Sequence, residues 1–98
     1  MTPKQRTHQL LAVALDIAVT TGWAGLTHAG VAAQAGTSKG LVVARLGTMT
    51  DMRRSVMRAA VAQRVVAVVA EGLAAGDRHA RRADEALRAA CGERVRTA

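Results

Sequence analysis

Four hydroxyl residues, Thr27, Thr37, Ser38 and Thr48, fall where helices would begin, and Lys39 and Gly40 directly follow the third of them. The first turn of a helix presents unpaired N–H groups and a partial positive charge, which together favour an anion such as phosphate. A hydroxyl at that position adds a hydrogen bond, Lys39 adds a point charge, and Gly40 lets the helix backbone approach a ligand closely. The chemistry these residues offer is anion recognition. They lie in or beside LTHAGVAAQAGTSKGLVVARLG, residues 26–47, which reads as two short helices joined by a Gly-containing turn, the pattern of a helix-turn-helix.

Catalysis finds no comparable footing. His8, His28 and His79 are far apart, and no carboxylate or thiol spacing suggests a nucleophile or a metal site. No Gly-rich phosphate loop follows a strand, because nothing alternates like a strand. The single cysteine, Cys91, excludes an internal disulfide and fits a structural thiol. The chain is expected not to be an enzyme and to carry no cofactor or metal.

A chain of 98 residues with no Phe, no Tyr and one Trp must build its core from Ala, Val, Leu, Ile and Met. Such a core suits closely packed helices and is modest in stabilising power, so dimerisation is a natural supplement. The formal charge is +7, which points to a polyanionic partner. Residues 1–64 hold eight Lys and Arg against two acids, and residues 65–98 hold six against five. The basic half is the half with the two short helices. The N-terminus lacks the apolar core of a signal peptide. The most apolar stretch, Ala59–Ala70, is interrupted by Gln63 and Arg64 and is too short to span a bilayer. A cytoplasmic protein without a membrane role is expected.

The elements that must position these residues are all helical. Leu10, Val13, Ala14, Ile17 and Ala18 recur at helical spacing and predict a first helix from Arg6 or Thr7 to Thr21, stopped by Gly22. Trp23 and Leu26 anchor the loop that follows. Thr27 caps a second helix, His28–Ala35, Gly36 makes the turn, and Thr37 or Ser38 caps a third helix over about 38–45 with Leu41 and Leu46 as its core contacts. Thr48 and Asp51 have the spacing of a capping box for a long fourth helix carrying Met52, Val56, Ala59, Ala60 and Gln63 on one face. That helix is predicted to continue through VVAVVA, Val65–Ala70, which is apolar on every side and needs covering on every side. Gly72 and Gly76 end or loosen it. Asp77 caps a fifth helix with a narrow stripe of Ala80, Ala83, Leu87 and Ala90, and Gly92–Ala98 reads as frayed. The prediction is an all-α fold with a DNA-binding region at 1–50 and a helical dimerisation region at 51–98.

Residues 6 to about 60 resemble the DNA-binding domain of the tetracycline-repressor-like (TetR) family of bacterial transcription regulators. The resemblance rests on LLAVALDIAVTTGWAGLT, on VAAQAGTSKGLV, and on LGTMTDMRRSVM. It implies that the third helix is a recognition helix for double-stranded DNA. Two departures qualify it. The family's usual Tyr and Phe near the end of that helix are here Val43 and Leu46, so contacts at Val43 and Ala44 must be apolar, for instance against thymine methyls, with Arg45 taking part of the polar work. Family members are also about twice this length, so the usual effector pocket has no room in its usual form and a small-molecule effector is not expected.

The DNA contacts expected on this basis are Arg6, Thr27, Thr37, Ser38, Lys39, Gly40, Val43, Ala44, Arg45 and Thr48, with Lys4 and Arg6 as a basic arm for the minor groove. A homodimer through Val65, Val66, Val69, Leu73 and Leu87 would set two recognition helices on a palindromic operator. Repression is the outcome the resemblance implies. The competing expectation is a truncated regulator acting as a protein-interaction module, by pairing with a longer relative or with another repressor.

Overall fold

The computed structural model describes residues 1–97, and side chains through residue 94. Among the described residues the chain is helical throughout, with seven α-helices and no strand. They divide into two compact units, residues 1–56 and 57–98, a boundary six residues later than the sequence reading placed it.

In the first unit, α1 (Pro3–Thr21) begins earlier than its hydrophobic spacing indicated. Thr2 and Gln5 form a reciprocal capping box, and Pro3 occupies a position where its missing N–H costs nothing. Lys4 and Arg6 are therefore helical residues and not a free arm; Arg6 Nη1 donates to Gln9 Oε1 at 3.0 Å. Leu10, Ala14, Leu15 and Ala18 form the buried stripe of α1. Gly22 closes the helix at φ 100°, and a single 3-10 turn, Trp23–Gly25, leads to the fully buried Leu26. Trp23 anchors this turn as its position suggested: its Nε1 donates to the Arg53 carbonyl at 3.0 Å, and Arg53 Nη2 donates back to the Ala24 carbonyl at 3.1 Å.

Next come α2 (His28–Ala35) and α3 (Lys39–Leu46), and α1 packs on both. The turn between them is a Schellman motif. Gly36 sits in the left-handed region at φ 69°, its N–H reaches the Ala33 carbonyl, and the Thr37 N–H reaches Ala32. In α3 the buried pair is Val42 and Leu46. The sequence reading had Leu41 in place of Val42; Leu41 is only half-buried, because Val42 and Leu46, one turn apart, form the row that meets the core.

The fourth helix departs most from expectation. α4 (Met49–Ala62) stops well short of Ala70. Arg64 turns the chain at φ 57°, its N–H reaching the Val61 carbonyl and the Val65 N–H reaching Ala60. This is again a Schellman closure, built on a non-glycine residue. The apolar run then forms a separate α5 (Val66–Ala75), closed by Gly76 at φ 76°. Asp77 caps a one-turn α6 (Arg78–Arg81), and α7 (Glu85–Thr97) follows. The predicted fifth helix is thus two, and the stretch from Gly92 that read as frayed is helical through Thr97; Ala98 lies outside the described residues.

Within the second unit α5 packs against α6 and α7. This packing covers one side of VVAVVA: Val68 and Val69 are buried with Ala80, Ala83, Leu87 and Cys91, while Val65, Val66, Ala67 and Ala70 stay half-exposed. Burial pushes the Cys91 thiol above its ordinary value, with Arg94 opposing. Gly72 lies inside α5 and does not end it. A Cβ there would collide with the Met57 side chain and the Ala80 methyl, so glycine is what lets these segments approach. Across the α4–α5 break, Arg64 bridges to Asp84 in an exposed ion pair of 2.5 Å, and Asp84 also accepts the Leu87 N–H at the start of α7. No helix among the described residues is long and apolar enough to cross a membrane.

Two measurements check this account. Gly72→Ala should lower the unfolding midpoint in urea, by about 1–3 kcal/mol of overpacking partly offset by about 1 kcal/mol of helix propensity. In acid, the relevant carboxyls are Asp84, lowered first by its bond to Arg64, and Asp51, lowered first by the Thr48 N–H. A depressed carboxyl stabilises the fold above its unfolded pKa and loses that contribution as pH falls through the folded value. The urea midpoint should therefore drop below about pH 4, and Asp51→Asn with Asp84→Asn should flatten the drop.

Candidate nucleic-acid interface

Three helix starts carry the capping chemistry that the sequence promised. Thr27 Oγ1 accepts the Gly30 N–H at 3.0 Å, Ser38 Oγ accepts the Leu41 N–H at 3.1 Å, and Thr48 Oγ1 accepts the Asp51 N–H at 3.1 Å. Asp51 Oδ2 accepts the Thr48 N–H in return at 3.0 Å, which completes the capping box of α4. Thr37 caps nothing; it is half-buried in the turn. Thr27, Ser38 and Thr48 are all exposed, so each hydroxyl stands at the water-facing start of its helix.

Two of these starts are held together by a contact that the sequence reading did not single out. His28 Nε2 lies 2.8 Å from the Gly47 carbonyl, and since a carbonyl only accepts, Nε2 carries the proton. Residues 27–28 at the start of α2 thereby meet residues 47–48 at the start of α4. Gly47 has φ 78°, and a Cβ on it would lie 2.5 Å from Asp51 Oδ2. Glycine is thus required twice over, by backbone conformation and by the capping carboxylate above it. The available signal was a glycine placed immediately before T-x-x-D.

The outward surface of α3 follows from its four rows of side chains. Val42 and Leu46 face the core. Leu41 and Arg45 form a flanking row, half-buried and exposed respectively. The remaining rows, Lys39 with Val43 and Gly40 with Ala44, are exposed throughout. Val43 is 42% exposed, one of three large hydrophobic side chains left open to water among the described residues. A Cβ built on Gly40 meets nothing nearer than Ser38 Oγ at 4.0 Å. The fold itself therefore gives no reason for glycine at that position.

Cations outnumber acids in this unit. Residues 1–56 hold Lys4, Arg6, Lys39, Arg45, Arg53 and Arg54 against Asp16 and Asp51, and Asp51 is engaged by its own cap and by Arg54 at 3.9 Å. Among the described residues no group of three His, Cys, Asp or Glu side chains is placed to hold a metal ion.

The five residues expected at a dimer contact divide. Val69 and Leu87 are buried by their own chain, because α5 packs on α7. Val65, Val66 and Leu73 remain half-exposed. Leu73 also lines an open, mostly apolar groove of about 290 Å³ with Ala70, Ala74, Arg88, Cys91 and Gly92.

No family model, curated protein or solved structure matches the chain. α3 is thus a capped helix whose inner face, Val42 and Leu46, is buried and whose outer rows carry small and apolar residues with Lys39 and Arg45 exposed beside them.

Proposed function

We propose that this chain is a sequence-specific DNA-binding transcription regulator, with α2 and α3 as a helix-turn-helix and α3 as the helix that enters the major groove. The observation that carries this reading is Gly40. A glycine inside a helix costs about 0.5–1 kcal/mol relative to alanine, and nothing in the fold fills the space where its side chain would stand. It becomes useful when another surface must come close to the helix backbone. Lys39, Ser38, Thr27 and Thr48 supply charge and hydroxyls for phosphate contacts that set register, and Val43 and Ala44 offer base-edge contacts. The resemblance of residues 6 to about 60 to the TetR family supports the same reading.

The regulator acts in this proposal as a homodimeric repressor on a palindromic operator, paired through the half-exposed Val66 and Leu73. The second reading is a protein-interaction module, favoured by the open groove beside Leu73. The two part ways at α3, since an interaction module would not need the Ser-Lys-Gly start of that helix and its basic surroundings together.

The deciding experiment is a titration of the purified protein against its own upstream DNA at two salt concentrations, with unrelated DNA as competitor. Specific binding that survives competitor and weakens steeply with salt, over a two-fold symmetric footprint, supports the regulator. Equal, weak binding to both DNAs overturns it. Two variants refine the result. Gly40→Ala should hold or raise the unfolding midpoint, by up to about 1 kcal/mol, while weakening DNA binding about tenfold through steric crowding. Lys39→Gln should weaken binding to all sequences alike and lower the salt slope by about one.

A further inference from the structure

We infer that α3 selects DNA by the C5-methyl groups of pyrimidines, reading thymine and, in the same way, 5-methylcytosine; this rests on the DNA-binding reading above. The exposed rows of α3 contain Gly40, Val43 and Ala44, none of which has a side-chain donor or acceptor. Lys39 stands in the first turn beside the capped end, where a phosphate is the natural partner. Arg45 belongs to the other flank, in the row of the half-buried Leu41. The centre of the outward face therefore has no group able to hydrogen-bond to a base edge.

In the major groove, bases are distinguished by donors, by acceptors and by one apolar group, the C5-methyl of thymine. The centre of that surface, Gly40 and Ala44 with Val43 on one flank and Arg45 on the other, can use only the last. Val43, 42% exposed, projects two methyl groups for such a contact, and the space at Gly40 and the small Ala44 admit the base edge beside it. Cytosine methylated at C5 places a methyl at the same position, so cytosine methylation should strengthen binding where it falls under α3. Charge complementarity favours duplex DNA as the occupant, since six cations in residues 1–56 face two acids.

The test needs no known operator. Binding is measured to an alternating A·T duplex and to its A·U counterpart, which lacks only the methyl groups, and to an alternating G·C duplex with and without 5-methylcytosine. Removing a contacted methyl should weaken binding about fourfold, and adding one should strengthen it by a similar factor. Val43→Ser removes both methyls at an exposed position, so it folds, and should bring the thymine-to-uracil ratio towards one.

Equal affinity for the A·T and A·U duplexes would overturn the methyl reading and leave DNA binding standing. A thymine preference unchanged in Val43→Ser would also overturn it, because the methyl would then be read elsewhere. Methyl-dependent binding without any footprint on the upstream region would uphold this inference while sinking the operator-specific regulator. Binding to neither duplex would remove both.

Discussion

Helices of four to ten residues do not persist alone in water, because nucleation costs more than so few hydrogen bonds return, and four of the seven helices here fall in that range. Their persistence depends on how their ends are tied. Thr27, Ser38 and Asp77 satisfy the first N–H groups of α2, α3 and α6, and left-handed residues at Gly36 and Gly76 satisfy the last carbonyls of α2 and α5. Each cap is worth about 1 kcal/mol, a large share of what so small a core supplies. The same groups that hold the helices also leave hydroxyls and oriented N–H dipoles at the surface.

A core without Phe or Tyr imposes the second constraint. With thin side chains, area is buried only if helices approach closely, and Gly72 against Met57 and Ala80 is where this is most acute. Packing α7 on α5 covers Val68 and Val69, the inner half of the valine run, within one chain. What remains for a second molecule is narrower than the sequence suggested: the half-exposed Val65, Val66 and Leu73. In the first unit the inner row of α3 is locked by Val42 and Leu46, so its outer rows owe nothing to folding.

Much of the candidate interface was legible because it is local. A cap acts over three residues, so T-x-x-D at Thr48 and the threonine at 27 declared their helix starts without reference to anything distant, and the third start was narrowed to Thr37 or Ser38. The exposure of Lys39, Gly40, Val43, Ala44 and Arg45 followed from helical spacing once the start at Ser38 was known. The His28–Gly47 bond was hidden, since it joins residues nineteen apart in sequence and neither type marks such a contact. Arg6 was misplaced for a local reason: the Thr2–Gln5 box sits upstream of the first apolar residue, where periodicity has no reach.

The sequence alone determined that the chain is helical, where α2, α3 and α4 begin, and that its cations gather in its first part, because composition and short-range capping decide those. Only tertiary packing decided that α4 ends at Ala62, that Val42 rather than Leu41 enters the core, and that Val69 and Leu87 are covered within one chain. The break after α4 has no glycine or proline to announce it. Arg64 takes a left-handed conformation that costs about 1–2 kcal/mol, and a residue accepts that strain when the long-range burial of α5 against α7 returns more than the uninterrupted helix would have gained.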